Sequence, residues 1–311
     1  MAIIKEFTLP SAMDGLLLSG VKVMPEGECV GIIQLVHGMA EHKERYLEVM
    51  RYLADAGYLC IMHDHRGHGK SVKTDKDLGY FYGEHGDALI EDIHQLSVYA
   101  KKEHPDLPFF LFGHSMGSLL VRAYCKRYDQ EIDALIVCGS PSKNPAAKAG
   151  RTLVRLMRKV KGDHYRSKLI QTMAFGSYAK GFAETFSDNV WLCSDADVVK
   201  AYDEDPLCGF VFTLNGFENL FDLMIDVYDR EGWKMCHKDL PIRFIAGSKD
   251  PCIGNEKKFK EAAAFMRECG YTKVSARLFE GKRHEILNED CRQEVFEDIL
   301  MFYEQVRKVG K

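Results

Sequence analysis

The chain has 311 residues, of which 46% are hydrophobic and 28% charged, and its formal net charge is -4. This length allows one large core, and the absence of long single-sign charge runs excludes an electrostatic surface for nucleic acid. The ten cysteines occur without a C-x-x-C pair, and no stretch reaches the ~18 apolar residues that a membrane span needs. The N-terminus has no basic region followed by an apolar one, as a signal peptide would. We therefore expect a cytoplasmic protein with reduced thiols.

The first 138 residues predict an alternation of strands and helices. Short apolar runs indicate the strands, and longer segments with helical spacing indicate the helices. A mostly parallel sheet with helices on both faces follows, and its chemistry should gather at the carboxyl ends of the strands. The predicted strands are 3–9, 16–23, 30–36, 58–62, 109–112 and 134–138, and the predicted helices are 44–56, 87–103 and 118–127.

The alternation stops for about a hundred residues after the strand at 134–138. This interval, residues 140–239, is rich in Phe, Tyr, Leu and Met and predicts helices rather than strands, so we interpret it as a helical cap over the active site. We call it the cap segment. The predicted core therefore comprises 1–139 and 240–311. The predicted cap helices are 151–160, 167–180 and 217–229, and the core resumes with strands 242–246 and 275–279 and a helix at 290–309.

A G-x-S-x-G pentapeptide, residues 113–117, directly follows the predicted strand 109–112 and precedes a predicted helix. In this setting the serine lies on a sharp turn that presents its hydroxyl above the sheet, and the glycines allow the backbone to pass closely. The sequence therefore predicts Ser115 as the nucleophile of a hydrolase.

Two further residues at predicted strand ends complete a catalytic triad. A serine needs a histidine to remove its proton, and the histidine needs an acid to orient it. His284 follows the last predicted strand and Asp250 follows strand 242–246, so the chain order of serine, acid and base is the one expected for this fold. Asp226 and Asp205 are rival acids, but both lie in the cap segment.

The reaction also needs two backbone amides to bind the oxyanion. The amide of Met116, after the nucleophile, is one predicted donor, and the amide of Met39, after strand 30–36, is the other. The His- and Asp-rich loop 64–71 is interpreted as a loop held by hydrogen bonds, because a metal needs three or four convergent ligands. No nucleotide motif occurs, so we expect no cofactor and no metal.

Several motifs together resemble the monoacylglycerol lipase and lysophospholipase branch of the α/β-hydrolases. The resemblance implies the α/β-hydrolase fold, the triad and oxyanion amides named above, and a polar pocket for a glycerol-like group lined by Glu41, Arg45 and His114. It departs from the family at Met39, where the residue is usually small, and at Ala40, where the family has glycine. The motifs that carry it are HGMAEHKERY at 37–46, DHRGHG at 64–69, GHSMG at 113–117, GSKD at 247–250 and HE at 284–285.

The expected reaction is hydrolysis of a small acyl ester, such as a monoacylglycerol or lysophospholipid, through an acyl-enzyme. Apolar residues at 169–175, at 210–214 and at Phe217, Leu220 and Phe221 are candidates to line an acyl tunnel or to make transient contact with a lipid surface. A serine aminopeptidase remains an alternative, with a cap carboxylate holding the substrate ammonium, and so does a binding protein without activity. The candidate carboxylates are Glu184, Glu204 and Glu218. The sequence leaves the oligomeric state open.

Overall fold

The computed structural model describes residues 2–309, and the strands within them form one eight-stranded sheet. The strands are β1 Ile3–Pro10, β2 Leu17–Met24, β3 Gly31–Val36, β4 Tyr58–His63, β5 Phe109–His114, β6 Ala134–Cys138, β7 Ile242–Gly247 and β8 Val274–Phe279. They lie in the order β1-β2-β4-β3-β5-β6-β7-β8. The pairs β1–β2 and β2–β4 are antiparallel and all others are parallel, which confirms the predicted α/β-hydrolase fold.

The helices include all those predicted, with shifted boundaries in the cap segment, and two that the sequence did not predict, at Ala196–Glu204 and Glu256–Glu268. They are α1 Leu47–Asp55, α2 Asp87–Glu103, α3 Met116–Tyr128, α4 Ala147–Lys161, α5 Lys168–Phe175, α6 Ala196–Glu204, α7 Leu214–Asp226, α8 Glu256–Glu268 and α9 Arg292–Val309. The helix expected over 167–180 ends at Phe175, before Gly176. The helix expected from Phe217 begins at Leu214, because the Thr213 side chain accepts a hydrogen bond from the Gly216 amide and caps it.

Apolar side chains cover both faces of the sheet. On one face α1 and α9 pack against the strands, contributing residues such as Val49 and Phe296. On the other face lie α2, α3 and α8, together with α7 of the cap segment, whose Phe217 belongs to the same buried cluster as Leu119 of α3. Every residue of β3 and β5 is buried. This packing therefore fixes the positions of the C-terminal ends of the two strands, from which the loops of the site begin.

None of the helices within residues 2–309 has the length and apolar character needed to cross a bilayer. All ten cysteines lie within the described residues and are free thiols. The most buried of them include Cys60, Cys125 and Cys138, which pack in the core.

Candidate active site

Ser115 occupies the turn between β5 and α3, in a strained backbone conformation with φ of 54° and ψ of -120°. Its amide donates a hydrogen bond to the Cys138 carbonyl on β6, at 2.9 Å. A β-carbon at Gly117 would lie 2.1 Å from the Val36 carbonyl oxygen, so only glycine allows α3 to approach β3 this closely. The turn therefore holds the serine at the carboxyl end of the sheet, as the sequence predicts.

His284 and Asp250 are brought together by the loops after β8 and β7. His284 Nδ1 lies 2.9 Å from Asp250 Oδ2, and both side chains are buried. The other carboxylate oxygen of Asp250 accepts the Cys252 amide at 2.8 Å, which fixes the orientation of the carboxylate. The ring of His284 faces a cavity that Ser115 also lines. This arrangement can hold the imidazole in the tautomer with its proton on Nδ1, which leaves Nε2 free to act as a base.

The two rival acids are engaged elsewhere. Asp226 forms an ion pair with Lys126 at 2.7 Å, and Asp205 contacts His42 at 2.8 Å. Neither carboxylate lines the cavity that contains His284.

The amides of Met39 and Met116 are available to a ligand. Met116 is the first residue of α3 and Met39 lies in the loop after β3, and both residues line the cavity beside Ser115. Within residues 2–309, neither amide is paired with a protein acceptor. Next to Met39, Ala40 adopts a φ of 52°, and a β-carbon at Gly38 would lie 3.0 Å from Ser115 Cβ.

A buried cluster of polar side chains lies behind this loop. Arg45 binds both carboxylate oxygens of Glu285 at 2.6 Å and Glu41 at 2.8 Å. The Tyr46 hydroxyl donates to Glu41 Oε1 at 2.8 Å and lies 3.0 Å from His114 Nδ1. Of the three residues predicted to bind substrate, Glu41 and His114 line the main cavity, whereas Arg45 lies behind them.

The charges of this cluster stabilise one another. Burial alone would raise the pKa of Glu41, but its hydrogen bond with His114 and the charge of Arg45 hold that pKa well below the usual range. Burial would lower the pKa of His114, but the bond with Glu41 raises it. Burial would likewise raise the pKa of Glu285, but the charge of Arg45 lowers it, and the net shift is downward. The cluster therefore offers an ionised carboxylate at the cavity wall, and that carboxylate favours the protonated form of the His114 imidazole beside it.

The cavity has a volume of about 410 Å³, within the usual range of small-molecule sites. Its apolar wall comes mainly from the cap segment. Only part of the predicted apolar set reaches it: Leu169 and Met173 are exposed, and Phe212 and Phe217 are buried in the core. The cap residues with apolar side chains at the wall are Ala174, Phe175, Tyr178, Ala179, Trp191, Leu192, Tyr202, Phe210, Leu220, Phe221 and Met224.

The three cap carboxylates considered for an ammonium group lie outside this wall. Glu218 is bound by Arg155 and Arg158, each at 2.5 Å. Glu184 binds Arg283 at 2.6 Å, and Glu204 is exposed on the outer side of α6, 3.9 Å from Lys200.

Sequence reasoning missed several residues around His284. The Trp191 ring lies 5.0 Å from the His284 ring and 5.0 Å from the Tyr178 ring, centroid to centroid. Cys252 Sγ lies 4.0 Å from His284 Nε2. The position of Cys252, two residues after Asp250, is a signal that the sequence contained. The sequence contained no such signal for Tyr178 or Trp191, because both lie in an irregular part of the cap segment.

The profile of the family described as "Serine aminopeptidase, S33" matches residues 27–291, which include every residue of the site described above. The chain belongs to this family of α/β-hydrolases. Among its curated relatives, monoglyceride lipase of Mus musculus is 36% identical over 269 residues, covering 85% of this chain and 78% of that protein. Monoacylglycerol lipase of Mycolicibacterium smegmatis is 27% identical over 293 residues, covering 91% of this chain and 92% of that protein.

Solved structures agree with the family. A thermostable carboxyl esterase from Bacillus coagulans, solved in complex with glycerol, superposes with a TM-score of 0.89 at 26% identity and covers 99% of each chain. A monoglyceride lipase from Saccharomyces cerevisiae shares the fold, with a TM-score of 0.74 at 19% identity, and covers 98% of this chain and 95% of that one. The predicted resemblance to the monoacylglycerol lipase and lysophospholipase branch is thus confirmed.

Proposed function

We propose that this α/β-hydrolase cleaves carboxylic esters, with Ser115 as nucleophile, His284 as general base and Asp250 as the orienting acid. One observation carries the proposal: the 2.9 Å contact between His284 and Asp250 lies beside a cavity whose wall also contains Ser115. The three residues come from separate loops, so their convergence is not a local sequence effect.

In the proposed mechanism the His284 Nε2 atom takes the Ser115 proton as the hydroxyl oxygen attacks the ester carbonyl. The tetrahedral oxyanion accepts hydrogen bonds from the Met39 and Met116 amides, and each such donor contributes about 3 kcal/mol in the transition state. The imidazolium then protonates the leaving alcohol. Water, activated by the same imidazole, hydrolyses the acyl-enzyme and restores the serine.

The cavity supports a monoacylglycerol, a lysophospholipid or another small acyl ester as substrate. Its cap side is apolar and suits an acyl chain, whereas Glu41 and His114 offer an acceptor and a donor for hydroxyl groups. We propose that these two residues contact the alcohol part and that Arg45 holds Glu41 in place. The monoglyceride lipase relatives and the glycerol complex of the bacterial esterase support a glycerol-like alcohol.

We also propose that residues 140–239 act as a cap domain on a core formed by 1–139 and 240–311. The segment between β6 and β7 supplies most of the apolar cavity wall. Its α7 belongs to the buried cluster of the sheet face, so α7 forms the fixed base of the cap.

An aminopeptidase is the second candidate, because the family description names that activity. Such an enzyme needs a carboxylate for the substrate ammonium. Glu184 and Glu218 bind arginines, whereas Asp188 is exposed at the cavity wall. Among the carboxylates of the cap segment, Asp188 is therefore the one on which this alternative depends.

The deciding experiment compares turnover of p-nitrophenyl butyrate with that of an aminoacyl p-nitroanilide. We expect rapid turnover of the ester and none of the anilide. Ser115→Ala should lower kcat by about 10⁴- to 10⁶-fold without changing the melting temperature by more than a few degrees. Ser275→Ala, at a part-buried serine on β8, is the matched control and should keep the wild-type rate. Equal rates in Ser115→Ala and wild type would remove Ser115 as nucleophile.

A lipid surface is the partner that the cap segment suits. Large apolar side chains on α4 and α5 are exposed, with exposed fractions of 58% for Leu156, 81% for Val160, 58% for Leu169 and 63% for Met173. On each helix the two residues are four positions apart and share one face, and exposed apolar side chains of this kind are typical of interaction surfaces; we call the four residues the patch. We propose that it makes transient contact with lipid, which would bring the cavity to its substrate.

Flotation with phosphatidylcholine vesicles tests this contact. We expect the wild-type chain to co-float in part and the double variant Val160→Glu, Leu169→Glu to remain in the dense fraction, while both hydrolyse the soluble butyrate ester equally. As the control, Val98→Glu changes an exposed valine on α2, outside the cap segment, and should float like wild type. Equal flotation of all three proteins would exclude the patch.

A further inference from the structure

A second group of buried titratable side chains lies at the junction between the core and the cap segment. One ring nitrogen of His42, a carboxylate oxygen of Asp205 and the sulfur of Cys208 all lie within 4.8 Å of one another. His42 follows the β3 loop of the core, whereas Asp205 and Cys208 belong to the loop after α6. The proposed ester hydrolysis uses none of the three. We propose that they form a binding site for a zinc ion that ties the cap segment to the core.

The ligand types support zinc over other divalent ions. Imidazole nitrogen, thiolate sulfur and carboxylate oxygen are the ligands that zinc accepts in tetrahedral sites, and a thiolate disfavours magnesium and calcium. A carboxylate and a thiolate would together balance the charge of the ion. On binding, zinc displaces the thiol proton of Cys208 and the proton of the His42 nitrogen, and both protons pass to solvent.

The loop that carries two of the ligands is already shaped for this role. The Cys208 amide donates to the Asp205 carbonyl at 2.9 Å, closing a tight turn with two residues between the ligands. Asp205 Oδ1 accepts the Leu207 amide at 2.8 Å, which leaves Oδ2 directed at His42 Nε2, 2.8 Å away. Paired ligands with two intervening residues are a common feature of zinc sites.

The histidine also has the partner that zinc ligands require on their second nitrogen. Glu44 Oε2 lies 2.6 Å from His42 Nδ1 and would fix the tautomer in which Nε2 is the ligand. The nearby cations are neutralised by other carboxylates: Lys43 binds Glu44 Oε1 and Asp64, each at 2.8 Å, and Arg45 binds Glu285 at 2.6 Å. Positive charge around the site is therefore compensated.

The three ligand atoms, which lie within 4.8 Å of one another, must move to the spacing that zinc imposes. Tetrahedral zinc, with bonds of about 2.0–2.3 Å, holds its ligand atoms roughly 3.3–3.8 Å apart. The His42–Asp205 contact must lengthen by a few tenths of an ångström, and Asp205, whose side chain is 31% exposed, can rotate to allow it.

The comparable group at the catalytic centre, Asp250, Cys252 and His284, does not offer the same arrangement. Asp250 faces Nδ1 of the imidazole, whereas Cys252 Sγ lies 4.0 Å from Nε2. The two ligands therefore face opposite nitrogens of one ring, and a single ion cannot bind His284 together with both of them.

Cobalt(II), which replaces zinc in such sites and absorbs light, is the probe. The full-length chain is treated with EDTA, dialysed with a reductant that contains no thiol, and titrated with cobalt chloride. We expect a sulfur-to-cobalt charge-transfer band and the intense visible bands of tetrahedral cobalt, both removed by one equivalent of zinc. We expect Cys208→Ser to lose the charge-transfer band, and Cys236→Ser, at an exposed thiol, to retain it as the matched control.

Affinity and stability measurements keep the proposal testable if Cys208→Ser folds poorly. Asp205→Asn changes a part-buried side chain and should weaken zinc binding by about 100-fold, and Glu44→Gln by about 10- to 100-fold. At a zinc concentration about ten times the wild-type Kd, zinc should raise the melting temperature of wild type and barely change that of Asp205→Asn. Failure of wild type to give a thiolate–cobalt band, or loss of the band in Cys252→Ser but not in Cys208→Ser, would overturn the proposal.

Discussion

At the scale of single residues, Asp250 tests the triad more sharply than the serine does. In Asp250→Asn the side chain keeps its shape and can still accept the Cys252 amide, but its NH₂ group would donate to His284 Nδ1 and impose the wrong tautomer. We expect kcat for the butyrate ester to fall by about 10⁴-fold at pH 7 with an unchanged fold. Asp226→Asn is the control. A mild loss at Asp250 with a severe loss at Asp226 would move the acid into the cap segment.

Arg45 is the residue on which the buried polar cluster depends. Arg45→Met would leave the carboxylates of Glu41 and Glu285 buried without their cation. We expect the free energy of unfolding to fall by about 3–5 kcal/mol, measured by urea denaturation. Arg51→Met, at an exposed arginine of α1, should change it by less than about 0.5 kcal/mol. Similar losses of unfolding free energy in Arg45→Met and Arg51→Met would show that the ion pairs of Arg45 contribute little to stability.

The sequence predicts Ser115, Asp250 and His284 because each follows a recognisable strand, and the fold brings strand ends together whatever lies between them. It could not predict Trp191, which lies in a stretch with no periodic pattern, or Tyr202, which lies on the short helix α6 that the sequence did not predict. Their contacts with the core join positions 93 or more residues apart, as between Trp191 and His284.

At the scale of elements, the end of α6 and the turn after it restrain the loop after β3, which carries Met39. The Tyr202 hydroxyl and the Gly209 amide both donate to the Ala40 carbonyl, each at 2.9 Å, next to the Met39 amide. Ala40 has a positive φ, so its conformation needs such support. The helix was absent from the sequence prediction because its nine residues carry only a short apolar stripe between polar turns.

Tyr202→Phe removes one of these hydrogen bonds and keeps the ring. A hydrogen bond of about 0.5–1.5 kcal/mol predicts a 2- to 10-fold lower kcat for the butyrate ester, with KM nearly unchanged, because the Met39 amide would act mainly on the oxyanion. Tyr165→Phe, at an exposed tyrosine of the cap segment, should match wild type. A change confined to KM would instead indicate that Tyr202 acts through substrate binding.

At the scale of the whole molecule, buried histidines control acid stability. Burial first, and neighbouring positive groups second, lower the pKa of His63 and of His65 to about 3, and burial lowers that of His68 to about 3 as well. The pKa of His37 is also lowered well below 6.5. As the pH falls, these histidines therefore bind protons near pH 6.5 in the unfolded chain but only near pH 3 in the folded chain. The contribution of the neutral histidines to the free energy of unfolding is present above pH 6.5 and is lost as the pH falls below that value.

Melting temperatures measured from pH 8 to pH 4 check this dependence. We expect the melting temperature to fall steeply below about pH 6, because each such histidine lowers the free energy of unfolding by about 1.4 kcal/mol per pH unit. His68→Phe should make the fall shallower by that amount, since His68 already packs against Phe81, Phe210 and Phe212 at 5.3–5.5 Å between ring centroids. His164→Gln, at an exposed histidine, should leave the slope unchanged. An unaltered slope in His68→Phe would refute the assignment.

The shared packing of α7 with α3 limits how this enzyme can be re-engineered. Chimeras that exchange everything between β6 and β7 with a homologue would cut through one continuous set of interlocked side chains, including Phe217 and Leu119. A graft restricted to residues 176–209 would leave that set whole and still replace Tyr178 and Trp191 at the cavity wall. Libraries for altered acyl-chain preference should therefore begin there, with α7 retained from the parent chain.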